Sequence, residues 1–203
     1  STIPADTYTG TADKGSIMHL IWRRIRLWAI GAGARRNRNW ERGPMADPIK
    51  ILVGTMTGTA EMVAEDMQAA IEAETERETE ILLMDDLDET VFDDVDAVYL
   101  IVTSTYGQGD VPDNALDFYE ALEEKAPDLS GIRFGIFGLG DSTYADTFNH
   151  GGERFEKVLR ERGARQIGER FAHNASGGDL PEDAGVEWVR QWLGELNRSQ
   201  EAA

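Results

Sequence analysis

Short unbroken apolar runs alternate with helical stripes from residue 49 to residue 196. Ile49–Val53 is apolar apart from Lys50, the pattern of a strand covered on both faces. Thr59–Glu72 follows as a helix, with Met62, Val63, Met67, Ala70 and Ile71 on its inner side. Further strands are expected at Thr79–Met84, Ala97–Val102 and Ile132–Phe137, with a short fifth strand around Ile167–Phe171. Asn114–Glu123 carries Ala115, Phe118, Tyr119 and Leu122 at helical spacing, and Leu116 widens that face. Glu153–Arg162 and Ala184–Leu196 complete the helices, the first through Phe155, Val158 and Leu159, the second through Val186, Val189, Trp192 and Leu193. Strand and helix alternate throughout, which predicts a three-layer α/β/α fold around a doubly wound sheet of five parallel strands. Right-handed crossovers favour the order 2-1-3-4-5.

Three glycine-punctuated loops stand where strands one, three and four end, and ligands of such sheets bind beyond those ends. In the first, Gly54-Thr55-Met56-Thr57-Gly58-Thr59-Ala60-Glu61, three hydroxyls fall within five residues ahead of a helix N-terminus. Neutral donors and the helix dipole suit a terminal phosphate. The loop lacks the lysine of a nucleoside triphosphatase and the Gly-x-Gly-x-x-Gly of a dinucleotide site. An ordinary threonine-capped strand-to-helix turn is the competing reading of this loop on its own. The second loop runs through Ser104, Thr105, Tyr106, Gly107, Gly109 and Asp110 to Asn114, and the third through Gly138, Leu139, Gly140, Asp141 and Tyr144, with Phe148 and Asn149 close behind. Each brings one tyrosine to a strand end, so a flat ring could lie between them. Flavin mononucleotide (FMN) joins a phosphate to such a ring. Asp110, Asp113 and Asp141 add negative charge, which opposes an anionic reduced flavin and lowers its potential. No spacing marks a catalytic set or a metal site, and the histidines His19, His150 and His173 are scattered.

Charge divides the chain. Of its 203 residues, 20 are basic and 38 acidic. Residues 1–44 hold eight basic and three acidic side chains, leaving 12 against 35 in the remainder, a formal −23. That acidic part repels nucleic acid and favours a cationic protein partner. Cysteine is absent, so disulfides and thiolate-held metal centres are excluded. Residues 1–44 are expected to form a disordered or nonessential extension, with a short basic amphipathic helix at 17–30 and the domain at 45–198. A membrane-surface helix and an organelle presequence are the competing readings of that segment. Membrane contact is expected only if the 17–30 helix is used.

Taken together, the three loops resemble those of the flavodoxin-like FMN-binding family, including the FMN domains of cytochrome P450 reductase and sulfite reductase. The likeness is strongest to short, single-domain MioC-type flavodoxins, which it also matches at Phe118-Tyr119-Glu120-Ala121-Leu122 and Asp179-Leu180-Pro181-Glu182-Asp183. It runs from Pro48 to about Leu196. It implies noncovalent FMN, cytoplasmic electron transfer and an NADPH-dependent flavoprotein reductase as donor; a redox acceptor protein is expected as the other partner, and the chain is expected to be a monomer. On this resemblance Thr55, Met56, Thr57, Gly58, Thr59 and Ala60 wrap the phosphate, while Tyr106 and Tyr144 border the ring. The backbone of Thr105–Gly107 and Gly138–Gly140 surrounds the ring's polar edge, and His173-Asn174-Ala175-Ser176-Gly177 occupies a third, more variable loop. Two alternatives to the electron carrier remain: an FMN-dependent NAD(P)H quinone-type reductase, and a flavodoxin-like interaction domain without flavin.

Overall fold

The computed structural model describes residues 46–201. The expectations for residues 1–44, including the helix at 17–30, fall outside the described residues. Strand β1 (Ile49–Gly54) pairs with β2 (Thr79–Leu83) on one side and β3 (Val98–Ser104) on the other. Beyond β3 lies β4 (Arg133–Gly140), and the edge is formed by two short segments, β5 (Arg165–Gln166) and β6 (Phe171–Asn174). The pairings of these strands are all parallel, in the expected order β2-β1-β3-β4-β5, with β6 in addition on β4.

Helices α1 (Thr59–Glu74) and α4 (Pro181–Glu201) cover one face of the sheet, and α2 (Asp113–Lys125) and α3 (His150–Glu161) cover the other. Successive strand side chains point to opposite faces. Ile49, Ile51 and Val53 therefore join the core under α1 and α4, whereas Leu52 joins the other. In β3, Val98, Leu100 and Val102 separate in the same way from Tyr99 and Ile101. Each fully buried side chain of this size contributes about 1.5–3 kcal/mol. Gly185 lets α4 approach α1 closely, since a Cβ there would meet Val63 Cγ1 at 2.8 Å. Buried Tyr99 donates its hydroxyl proton to the Val91 carbonyl at 2.7 Å, and burial, then the neighbouring Asp94 and Asp93, hold the phenol well above its ordinary pKa.

Two expectations need correction. The fifth strand is not one run around Ile167–Phe171 but two pieces flanking it. The Ile167 amide still donates to the Phe134 carbonyl at 2.7 Å. Its own carbonyl, however, accepts the Trp192 indole N–H at 3.0 Å, and Gly168 turns away at φ 69. A buried indole needs a partner, and here it takes one from the sheet edge. Pairing resumes with Phe171 opposite Phe137. The second correction concerns Met62 and Leu116, both expected inside and both exposed, at 48% and 41%. Val63 and Met67 face α4 from α1, and Ala115 faces the other core from α2; the adjacent Met62 and Leu116 are each turned about 100° from these neighbours, toward solvent.

Strands β3 and β4 also run past their apolar stretches. Thr103 pairs with Gly138, and Ser104 with Leu139, so the ladder extends to the base of both tyrosine loops.

Candidate functional site

The loop after β1 is built by its own side chains. The Thr55 amide donates to Asn114 Oδ1 at 2.8 Å, and Thr55 Oγ1 accepts from the Gly58 amide at 2.9 Å. Gly58, at φ 85, precedes α1, and no side chain caps the helix's first amides. The dipole of α1 and those amides thus face the loop mouth. The Thr57 and Thr59 hydroxyl oxygens stand there 3.4 Å apart and exposed. Met56 turns outward, its sulfur accepting from the Asp113 amide, and Ala60 is buried in the core. Thr55 and Asn114 therefore shape the loop, while Thr57 and Thr59 present its chemistry.

After β3 the chain makes a tight hairpin. Tyr106 and Asp110 exchange both backbone hydrogen bonds, at 2.9 and 2.8 Å, with Gly107 and Gly109 at positive φ between them. The turn leaves Tyr106 51% exposed. After β4, Tyr144 is 69% exposed at the end of a turn closed by its amide on the Asp141 carbonyl. Asp141 Oδ1 accepts from Ser176 Oγ at 2.6 Å, from the Thr143 amide at 2.9 Å and from the Thr143 hydroxyl at 2.8 Å. Those bonds, the Ser176 hydroxyl foremost, hold the Asp141 carboxyl below its ordinary pKa, so it is ionised near neutral pH. The Ser142 amide donates to Asn174 Oδ1 at 2.9 Å, tying this loop to the one after β6.

These loops enclose a cavity of about 680 Å³ at the carboxyl ends of the strands, within the usual range for a small-molecule site. Thr57 and Thr59 line it from the first loop, and Ser104, Thr105, Tyr106 and Gly107 from the second. Leu139, Gly140, Asp141 and Tyr144 line it from the third. The other candidates do not line it. Besides Thr55, Met56, Gly58, Ala60 and Asn114, these are Gly109, Gly138, Phe148 and Asn149. Asn149, at φ 59 and 1% exposed, accepts from Arg170 Nη1 and packs over Gly138, while its Nδ2 has no partner among the described residues. Phe148 backs Gly140, where a Cβ would approach the ring at 3.1 Å.

Sequence reasoning left seven wall residues outside the candidate set: Thr147, His173, Ala175, Gly178, Asp179, Leu180 and Pro181. Most belong to the segment from the end of β6 to α4, which the resemblance marked as a third, variable loop at His173–Gly177 and a matched motif at Asp179–Asp183 without assigning its residues to the site. His173 Nε2 must carry its proton, because it bonds the Asp179 carbonyl at 3.1 Å. A larger hollow of about 880 Å³ opens at the amino ends of β1 and β2, among Glu72, Glu76, Glu78 and Glu80. It lies away from all three loops. Among the described residues no group of histidine, aspartate and glutamate could hold a metal ion, and no helix is long and apolar enough to cross a membrane.

The flavodoxin family model matches residues 51–188. Protein MioC of Escherichia coli O157:H7 is 41% identical over 152 residues, covering 73% of this chain and 97% of that protein. Flavodoxin YqcA of Escherichia coli K12 is 35% identical over 153 residues, 71% of this chain and 95% of that one. Among solved structures, a cysteine-to-alanine mutant of flavodoxin from Pseudomonas aeruginosa superposes with a TM-score of 0.66 at 32% identity, over 74% of this chain and 99% of that one. With fold order, loop placement and whole-length relatives in agreement, the chain belongs to the flavodoxin family, whose members transfer electrons between redox partners and are carriers rather than enzymes.

Proposed function

We propose that the cavity holds FMN noncovalently and that the protein carries electrons from an NADPH-dependent flavoprotein reductase to an acceptor protein. One observation carries the reading: the Thr57 and Thr59 hydroxyls, beside the uncapped start of α1, share a cavity with the exposed Tyr106 and Tyr144. That donor set fits a phosphate monoester, and the tyrosine pair fits a flat ring; the two ends match one ligand. When bound, the flavin supplies the electron-accepting ring. Thr57, Thr59 and the first amides of α1 hold its phosphate. Tyr106 and Tyr144 orient the ring and keep bulk water from its faces. The ionised Asp141 holds the loop after β4 closed through Ser176 and Thr143.

The partner reading rests on charge. Asp110, Asp141 and Asp179 stand on the loops around the cavity, and the chain beyond residue 44 carries 35 acidic against 12 basic residues. A cationic docking face on each partner complements that surface, with the encounter rate falling as salt rises. The reading includes a cytoplasmic location, a monomer, and a functional domain beginning near residue 45. It is tested by adding excess FMN to the purified chain and removing what is unbound. One flavin retained per chain, with electron delivery to an acceptor that slows as salt is raised, is the expected result. Loss of the flavin on gel filtration, with no saturable binding in a titration, overturns it.

A further inference from the structure

The hairpin that carries Tyr106 is rich in glycine. Two of its five residues, Gly107 and Gly109, sit at φ 53 and 92, and glycine has the most backbone freedom to lose on ordering. Its anchors come from α3, across the cavity wall. The Gly151 amide donates to Thr105 Oγ1 at 3.1 Å. The His150 side chain lies against Gly109, where a Cβ would fall 2.7 Å from Nδ1. One turn further on, Arg154 makes two contacts at once: Nε donates to the Gly109 carbonyl at 2.9 Å and Nη2 to Asp110 Oδ1 at 3.0 Å.

The two contacts differ in weight. The side chains of Arg154 and Asp110 are 45% and 57% exposed, so their ion pair is solvated and contributes little. The bond to the Gly109 carbonyl is different in kind. Gly109 is buried, and the bond pins the backbone at the hinge of the turn, between the paired ends that set the direction of Tyr106. A ligand then meets a ring wall already in place, and the cost of ordering it on binding is reduced.

Resting on the FMN reading above, we propose that Arg154 is a positioning residue for the flavin ring, acting through the Gly109 carbonyl to pre-form the Tyr106 hairpin. Arg154 does not itself line the cavity, and its charge also offsets that of Asp110 on the hairpin.

The test compares the wild type with Arg154→Met, Arg154→Lys and Asp110→Asn. Flavin titration, the visible circular dichroism of bound FMN, and amide hydrogen exchange of Tyr106–Asp110 in the FMN-free protein are measured on each. Arg154→Met is expected to weaken FMN by about three- to tenfold, the worth of one partly exposed charged hydrogen bond. It should also speed exchange at Tyr106, Gly109 and Asp110 and alter the dichroism, with the thermal transition retained. Arg154→Lys, which can still reach the carbonyl, should recover most of the affinity and the dichroism. Asp110→Asn, which spares the carbonyl bond, should leave hairpin exchange and dichroism as in the wild type. Wild-type affinity, dichroism and hairpin exchange in Arg154→Met overturn the proposal, as does equal damage from Arg154→Met and Arg154→Lys. If no variant, wild type included, binds FMN, the cofactor reading fails. The exchange data then decide the anchor alone, with unchanged hairpin protection in Arg154→Met counting against it.

Discussion

Replacing Asn114 separates loop construction from ligand contact. Its Oδ1 accepts the Thr55 amide at 2.8 Å, and its Nδ2 lies 3.4 Å from the Val53 carbonyl, so the first bond dominates. Asn114→Ala leaves the part-buried Thr55 amide without an acceptor. A lost hydrogen bond of this kind, with one partner stranded, costs about 1–2 kcal/mol. In a domain of this size that corresponds to a fall in Tm of roughly 2–8 °C. FMN should weaken as well, because Thr55 Oγ1 receives the Gly58 amide that sets the turn into α1. Asn114→Asp supplies the contrast. It keeps the acceptor for the Thr55 amide but turns a carboxylate oxygen toward the Val53 carbonyl, so a smaller part of the stability is lost, and it places a negative charge beneath the phosphate loop. Its affinity loss should therefore exceed its stability loss and shrink as salt is added. Urea unfolding of the FMN-free protein and FMN titration at two salt concentrations read both quantities. If Asn114→Ala keeps wild-type stability and affinity, the loop is not built as described. A salt-independent loss in Asn114→Asp would remove the electrostatic part of the argument.

Other outcomes follow from single contacts. Gly135→Ala puts a Cβ 2.7 Å from Trp192 Cε2 and 3.1 Å from Leu100 Cδ2, and should cost about 1–3 kcal/mol in urea unfolding. A neutral result there would contradict the packing of α4 on β4. Burial, then the Glu123 carboxylate, push Tyr119 up from 10.0 to about 12. The neutral phenol is thus favoured in the folded state, and the stability it adds is complete below pH 10 and fades as pH rises to about 12. Tyr119→Phe should flatten the alkaline decline in that window, and an unchanged pH profile of unfolding would count against the linkage. Removing residues 1–44 should leave the cooperative thermal transition and FMN binding intact, since the described core begins at Ile49; loss of either would assign the segment a part in the domain.

The sheet order was legible because strands buried on both faces leave continuous apolar runs, as Ile49–Val53 and Ala97–Val102 do. The same signal stops where burial stops. It missed the extension of β3 through Thr103 and Ser104, whose pairing with Gly138 and Leu139 is a backbone matter. The split of β5 from β6 was hidden for another reason. It depends on an indole N–H from Trp192 reaching Ile167 across 25 residues, and no local pattern records such a bond. At the candidate site, hydroxyls and glycines beyond a strand end pointed to the loops that line the cavity but not to the division of work within them. Thr55 and Thr57 read alike in sequence, yet one hydroxyl closes the turn and the other faces the cavity. Arg154 gave no signal at all, because an arginine on an exposed helix face looks like any solvated charge until the Gly109 carbonyl is found beside it.

The central claim is that one cavity takes a phosphate at α1 and a ring between two tyrosines. Titrating the chain with FMN and with riboflavin, the same ring without the phosphate, tests it most directly, alongside a Thr57→Ala, Thr59→Ala double variant. The account predicts stoichiometric FMN binding, much weaker riboflavin binding, and a double variant that loses FMN affinity while its riboflavin affinity stays the same. Equal affinity for the two flavins, or no saturable binding of either, would contradict it.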